Sequence, residues 1–568
     1  MMTKNNHNQP KEKLLVEIQR LKRELKKRKK YGLVWEEKSE DVVEMCKEKL
    51  PVLKEVKSKE IITDKEKPVN LLIEGDNYHA LSVLNYTHAK KVDAIYIDPP
   101  YNTGNKDFIF NDHYVDREDA YRHSKWLSFM EKRLRLARNL LKDTGVIFIS
   151  IDDNEMAQLK MLMDSPDLFG ENNFVANIII QSNPRGKQQM KIAISHEYLL
   201  IYAKKLEKIS FIYQKLSEEQ MKQYNKVDEN GLRYREIGLR KRGAAARRVD
   251  VPNLFYPIYI DPNTGEVSLK KSKKYTEKAI PLLSNGEEGR WRWSKKKFEE
   301  EKNKLIGRMV NGKRWDVFEK DYLDEKKTIK PKSVWIDKEL NYENAKKELN
   351  NIFGGKCPFD YPKTTYLIKK ILHLSCPSNG IVLDFMAGTG TTGQAVLELN
   401  KEDGGHRQFI LVTNNENNIC TDVCYPRIKK VIQGYKNLKG EKVEGLGGNL
   451  KYFKTDFVDA EPTDKNKIKL TKQATEMLCI KEGTFDLVQD RGSFKIFKDS
   501  KHYTGIIFDQ SAIPEFKEVI KDIKGRFSVY IFSLGDETFD EEFADVKQKV
   551  KLSPIPEVIL RVYRRIFR

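Results

Sequence analysis

No stretch of this chain reaches the roughly 18 consecutive apolar residues that a membrane-spanning helix requires. Its opening residues, MMTKNNHNQPKEK, also lack the apolar segment of a secretory leader. A membrane or secreted protein is set aside, and a cytoplasmic location is expected. Cysteine is sparse, with six in 568 residues (Cys46, Cys357, Cys376, Cys420, Cys424 and Cys479), which excludes a disulfide scaffold. Only Cys420 and Cys424 stand close, in NNICTDVCYPR, and no second ligand pair is near. They read as two thiols one helical turn apart, and no metal is expected. Internal repeats and low-complexity tracts are missing as well. Acidic residues are outnumbered, 84 against 104 Lys and Arg, for a formal charge of +20. That excess favours a polyanionic partner, nucleic acid first, because Lys and Arg contacts to phosphate supply most non-specific affinity. A lysine-rich solvated surface would produce the same sum.

What the chain does have is enough apolar residue, 39%, for real cores, and a length that calls for roughly two to four domains. Near the start, Leu14, Ile18, Leu21 and Leu25 fall at alternating four- and three-residue steps. Such a stripe suits either an arm packed on its own domain or a dimer contact. From residue 69 an α/β rhythm begins. VNLLIEG, VDAIYID, GVIFISID, NIIIQSN and EYLLIYAKK read as strands, with helices at DNYHALSVLNYTHA and SKWLSFMEKRLRLARNLL. Alternation of this kind predicts a doubly wound, mostly parallel sheet covered on both faces. The rhythm fails between about 205 and 350, where the chain turns basic and aromatic. It returns at TTYLIKKILHLSC, GIVLDFMAGTGTTGQAVLEL and RQFILVTNN, and the last hundred or so residues read as a small separate α/β unit.

Two loops carry the chemistry. In AIYIDPPYNTG a buried strand ends on Asp98, Pro99, Pro100 and Tyr101. Two consecutive prolines donate nothing to a sheet and stiffen the chain as it leaves. A nucleobase exocyclic amine is a poor nucleophile because its lone pair is delocalised into the ring. A carboxylate (Asp98) and a rigid carbonyl (that of Pro99) accepting its two N–H groups would favour the reactive pyramidal nitrogen. Fixing both acceptors in advance is electrostatic preorganisation, and Tyr101 offers a face on which an extruded base stacks. The second loop follows another apolar strand, in IVLDFMAGTGTTGQAV, where Asp384 precedes Gly388 and Gly390 and a helix begins near Thr391. It is no phosphate-binding P-loop, since no Lys-Ser/Thr follows the glycines. Gly388, Gly390 and Gly393 satisfy G-x-G-x-x-G, with Glu416 somewhat beyond the usual distance for a ribose-binding acid. The glycine loop therefore narrows the ligand to an adenosine-bearing cofactor without choosing among them. In a doubly wound sheet both loops belong to one site if their strands are neighbours.

Taken as a set, NLLIEGDNYHALSVL, VDAIYIDPPYNTGNKDFIFND, GVIFISIDDNE, FDYPKTTYLIKKIL and VLDFMAGTGTTGQAV resemble the beta-group DNA amino-methyltransferases. More closely still, they resemble the modification (Mod) subunits of type III restriction–modification systems. The resemblance covers most of 69–200 and 355–430. It implies a seven-stranded-type methyltransferase sheet and S-adenosyl-L-methionine as cofactor. The implied substrate is double-stranded DNA with a flipped adenine, DPPY going with N6-adenine. The implied partners are a second copy of the chain and a restriction (Res) helicase–nuclease. Carried over by residue, it makes Asp98, Pro99, Pro100 and Tyr101 the catalytic loop. Phe385, Ala387, Gly388, Thr389, Gly390, Thr391 and Thr392 form the cofactor loop after Asp384. Asp76, Asn77, Lys363, Thr364, Thr365 and Glu416 are further cofactor contacts. The implied domains are an N-terminal helical arm (1–60), a catalytic half (61–204), a target recognition domain (205–354), a cofactor half (355–455) and a C-terminal α/β domain (456–568) for dimer or partner contact. Arg233, Arg235, Arg240, Lys241, Arg242, Arg247 and Arg248 are the expected DNA-binding group, since arginine holds phosphates or reads guanine edges. Alternatives are a stand-alone methyltransferase and a DNA-recognition module whose site is spent.

Overall fold

The computed structural model describes residues 35–567 apart from 65, 187, 189, 325, 326, 358, 360, 500, 501, 536 and 538. The stripe Leu14–Leu25 lies outside the described residues. Ten strands form the main sheet: β1 (Lys49–Glu55), β2 (Val69–Glu74), β3 (Val92–Ile97), β4 (Leu141–Ile151), β5 (Phe174–Ile180), β6 (Glu197–Ala203), β7 (Val334–Trp335), β8 (Ile381–Asp384), β9 (Gln408–Thr413) and β10 (Asn449–Asp459). Their spatial order is β1-β10-β2-β9-β8-β3-β4-β6-β5-β7. The run from β10 to β4 is parallel throughout. β1 and β6 oppose it. Strand β6, expected as one more member of the rhythm, is antiparallel because no crossover helix joins β5 to β6 among the described residues, and only a crossover returns a strand parallel.

Both faces of the sheet are buried, which is why its strands read as continuous apolar runs rather than alternating ones. In β3, Ile95 and Ile97 face one core, while Ala94 and Tyr96 face the other. Helices α1 (Asn77–Thr87) and α2 (Arg122–Leu140) cover the first face. The second is covered by α3 (Thr365–Ser375) and α4 (Thr391–Asp403).

The chain forms two bodies. One comprises residues up to Ile212 and those from Lys332 on, and the other is Tyr213–Pro331. The second body is narrower than the expected 205–354, since its flanks are drawn into the first. Val334 and Trp335 pair with Ile179 and Ile180 of β5, and the Ile212 amide donates to Leu374 O at 2.9 Å. Within Tyr213–Pro331, strands Arg233–Gly238, Arg314–Tyr322 and Leu305–Val310 pair antiparallel. Its core gathers Tyr256, Trp291, Trp293, Phe298 and Val317, so the aromatics of GRWRW are spent on packing.

Two further boundaries differ from the expected ones. The expected helical arm, 1–60, ends in β1, whose apolar Leu50, Val52 and Leu53 are buried against the sheet and paired to β10. The C-terminal residues form their own five-stranded sheet, β11 (Asp486–Asp490), β12 (Phe494–Lys498), β13 (His502–Ile507), β14 (Arg526–Phe532) and β15 (Val550–Ile555). They still belong to the first body, as their side chains pack into it. Tyr563 of α5 (Glu557–Phe567) is buried and donates to Pro51 O, and Lys91 donates to Lys481 O at 2.7 Å. All six cysteines are buried and free, with Cys420 and Cys424 on a π-helix, Ile419–Cys424. No helix among the described residues is long and apolar enough to cross a membrane.

Candidate active site

Strands β8 and β3 are parallel neighbours, with Val382 opposite Ala94 and Leu383 opposite Ile95. The loops beginning at Asp384 and Asp98 therefore leave the sheet side by side at its carboxyl end, where doubly wound sheets bind ligands.

The DPPY loop is pinned from α2. The Trp126 indole donates to Pro100 O at 2.7 Å. Asn102, fully buried and in the left-handed region at φ 55, donates to Arg122 O at 3.3 Å and to Glu155 Oε1 at 2.5 Å. Asn tolerates that conformation better than other side chains. Burial pushes the Glu155 carboxyl up to about 8, with Asn102 pulling the other way. His123 Nδ1 lies 2.7 Å from the same carboxyl.

In front of this scaffold sits a cluster of three charges and a phenol. Lys363 Nζ donates to Tyr101 Oη at 2.6 Å and to Glu197 Oε2 at 2.7 Å, and stands 3.3 Å from Asp98 Oδ1. The Tyr101 hydroxyl in turn donates to Glu197 Oε2 at 3.0 Å. Burial works against the lysine charge, but Asp98 and Glu197 more than offset it and hold Lys363 above its ordinary range. Burial likewise pushes Asp98 up, with Lys363 pulling back and Glu197 pushing again. Asp98 is the most accessible of the three charged side chains, at 28% against 16% for Lys363 and 12% for Glu197. Its Oδ1 is buried without a hydrogen bond of good geometry. Oδ1 thus faces the Lys363 ammonium inside the cluster, and the accessible part of the carboxylate lies beside a fixed aromatic ring.

The glycine loop is built as rigidly. Asp384 accepts from Thr392 Oγ1 at 2.5 Å and from the Met386 amide at 3.0 Å, and burial pushes it up to about 7. Gly388 and Gly390 take φ values of 49 and 79. A Cβ on Gly390 would come within 3.0 Å of Cys424 Sγ, whereas one on Gly388 would meet open space. Arg427, fully buried, donates to Thr389 Oγ1 at 3.0 Å, Thr391 Oγ1 at 2.8 Å and Gln394 Oε1 at 2.8 Å. Glu348 joins Gln394 (2.5 Å) to Thr365 (3.0 Å), and Thr364 caps α3 through the Leu367 amide. Phe385 and Ala387 are buried. Thr391 Oγ1 donates to Lys363 O at 3.4 Å, so Lys363 touches the cofactor loop with its backbone and the DPPY loop with its ammonium.

The remaining expected contacts are spread more widely. Asp76 caps α1, accepting from the Tyr78 amide at 2.7 Å, and buried Arg133 of α2 bonds Asn77 and Glu40 and reaches Asp76 at 3.4 Å. Glu416 is exposed on the turn after β9, with the Tyr114 hydroxyl at 3.4 Å. The expected DNA-binding residues lie in the other body and divide by partner. Arg233 donates to Tyr224 O and Met221 O, Arg235 pairs with Asp321, Arg248 pairs with Glu288, and the Arg247 amide is held by Asp250. Arg240, Lys241 and Arg242 line an open groove of about 800 Å³ together with Lys226, Arg235 and Arg292.

Sequence reasoning missed Glu197, Trp126, Asn102, Glu155, Glu348 and Arg427. Glu197 opens the apolar run EYLLIYA; knowing that this strand runs antiparallel would have placed it at the active-site edge.

A family model for DNA methylases of the N6/N4 type matches residues 92–423. The chain is 38% identical over 387 residues to the type II methyltransferase M.KpnI of Klebsiella pneumoniae, covering 65% of this chain and 89% of that protein. It is 36% identical over 375 residues to the Mod subunit of the type III restriction-modification enzyme EcoPI of Escherichia phage P1, covering 61% and 58% respectively. To the StyLTI Mod subunit of Salmonella typhimurium it is 35% identical over 376 residues, covering 61% and 52%. The chain thus spans a little over half the length of those two Mod subunits. With a DPPY loop and a glycine loop on adjacent parallel strands and a family match across both, the chain belongs to the N6/N4 DNA methylase family and is a DNA methyltransferase.

Proposed function

We propose that this chain is a site-specific DNA adenine N6-methyltransferase that serves as the modification and specificity subunit of a type III restriction–modification system. The observation that carries the chemistry is the partly accessible Asp98 carboxylate, held with Tyr101 by Lys363, on the strand next to the glycine loop. S-adenosyl-L-methionine, when bound, supplies a methyl group activated by a sulfonium. The open space at Gly388, its left-handed backbone and the N-terminus of α4 fit such an adenosine-bearing ligand. Asp384 and Phe385, Ala387, Gly388, Thr389, Gly390, Thr391 and Thr392 form its cradle, with Asp76, Asn77, Lys363, Thr364, Thr365 and Glu416 at its margins. Thr389 and Thr391 act through Arg427, which fixes the loop's shape.

Asp98 and the Pro99 carbonyl accept the two N–H groups of an adenine rotated out of the duplex, and Tyr101 stacks on it. Asp98 takes the proton that the amine releases as its nitrogen takes the methyl group. The two prolines and Trp126 hold these acceptors in place before substrate arrives, so little reorganisation is left for the reaction itself. The likeness to Mod subunits of type III restriction-modification enzymes supports a separate restriction (Res) subunit as partner, and a homodimer is proposed with it. A second reading, a stand-alone methyltransferase, is favoured by the 89% coverage of M.KpnI.

Strand-resolved single-molecule sequencing of DNA from cells expressing the chain, beside an Asp98→Ala control, tests both. N6-methyladenine on one strand of a short asymmetric site, absent from the control, is the expected result. Methylation of both strands of a palindrome selects the stand-alone reading. Methylation that persists in the control would overturn the role of Asp98.

A further inference from the structure

Lys363 is an expensive residue to place beside a catalytic carboxylate. Its side chain is only 16% exposed and its ammonium stands 3.3 Å from Oδ1 of Asp98, the carboxylate an exocyclic amine must reach. Left as the only pair, Lys363 and Asp98 would neutralise each other and close the acceptor. A second carboxylate changes that balance. Glu197, itself 12% exposed, takes the shorter contact, 2.7 Å, and also receives the Tyr101 hydroxyl. Two carboxylates and one ammonium leave the cluster one net negative charge, and the ammonium stands nearer Glu197 (2.7 Å) than Asp98 (3.3 Å), which leaves Asp98 the less neutralised of the two. Glu197 reaches this place from β6, the antiparallel strand that begins at the active-site edge of the sheet.

We propose that Glu197 is a positioning residue that cancels the charge of Lys363, so that the site keeps one negative charge, on Asp98, facing a cationic methyl donor. The proposal rests on the S-adenosylmethionine reading above. It also gives the Lys363 backbone bond to Thr391 a purpose: the segment that closes the cofactor loop also carries the balancing cation. A buried ammonium without its partner is strongly unfavourable, so removing the Glu197 charge turns Lys363 wholly toward Asp98 and makes the cluster neutral.

Sulfonium-bearing S-adenosylmethionine and uncharged-sulfur S-adenosylhomocysteine separate charge from shape. Calorimetric affinities of the full chain for both ligands should show Glu197→Gln weakening S-adenosylmethionine about tenfold while S-adenosylhomocysteine changes little. Lys363→Met, which leaves two uncompensated carboxylates, should shift the preference toward S-adenosylmethionine. The double variant, which restores one net negative charge, should return the ratio of the two affinities to that of the natural chain. Equal losses for both ligands in Glu197→Gln, or a double variant whose ratio stays altered, would make Glu197 a merely structural support and overturn the proposal. A natural chain that binds neither ligand would overturn the cofactor reading, and this one with it, an outcome distinct from unaltered ratios in a chain that binds both.

Discussion

Glu155 is a carboxyl kept from water by the same contacts that pin the DPPY loop, and its environment makes a measurable demand on pH. Its folded pKa is raised from 4.5 to about 8, so the folded chain binds its proton more tightly than the unfolded chain. The stability it contributes is fully present below about 4.5 and is lost as pH rises through about 8. Glu155→Gln keeps an uncharged partner for Asn102 and removes the titration. Thermal unfolding of the variant, followed from pH 5 to 8.5, should therefore gain on the natural chain as pH increases, since the other titrating groups are common to both. A constant difference across that range would show that Glu155 is already ionised in the fold. Asp384, raised to about 7 by burial, has the same sign and belongs to the common background.

Among the elements, the turn from β8 into α4 separates folding from binding within three residues. Gly390 has φ 79 and only a tight 3.0 Å for a Cβ beside Cys424 Sγ, while Gly388 has φ 49 and open space. An alanine at either pays about 1 kcal/mol for the left-handed backbone. At Gly390 it must also press a buried sulfur back by a few tenths of an ångström. Gly390→Ala should then lower the melting temperature more than Gly388→Ala, whereas Gly388→Ala should cost more affinity for S-adenosylmethionine than its small change in melting explains. The reverse ranking would place the ligand elsewhere. In Tyr213–Pro331 the arginines sort by whether a partner already holds them. Arg242→Ala in the open groove should lower DNA affinity and reduce the slope of log affinity against log salt by about 1. Arg233→Ala, whose guanidinium holds two carbonyls, should leave that slope unchanged and act on stability. A titration series from 50 to 200 mM salt distinguishes the two.

For the whole molecule, the insertion and the C-terminal sheet make opposite predictions about independence. The ends of the insertion are tied together, Lys215 opposite Thr328 and Gln214 opposite Ile329, and it has its own core around Trp291 and Trp293. Residues 213–331 expressed alone should melt cooperatively with ordered aromatic circular dichroism; a featureless aromatic spectrum would deny the insertion its own core. The C-terminal sheet, by contrast, is bound to the first body. Tyr563 is buried and its ring stands 5.4 Å from that of Phe567, which in turn lies 6.3 Å from Tyr78 of α1. Tyr563→Ala, which opens a cavity there, should destabilise that body by about 3 kcal/mol in denaturant unfolding.

The linear chain by itself determined the two loops and their chemistry. An apolar strand ending on Asp-Pro-Pro-Tyr and another leading into a glycine turn are local patterns, set by backbone stiffness and by which residues tolerate left-handed geometry. It also determined most strands and helices of the main sheet, because burial on both faces writes itself as continuous apolar runs such as VDAIYI. What it left undecided depended on direction and on partners far away in sequence. That β6 runs antiparallel follows from the lack of a crossover helix among the described residues after β5, and this brings Glu197 to Lys363, 166 residues on. β1 and the C-terminal helix joined the first body because their apolar faces found partners several hundred residues away, and no local pattern reports such a partner. The basic segment shows the same limit. Arg233 and Arg242 look alike in a sequence, and only the packed structure shows that one is already bound to carbonyls while the other lines an open groove.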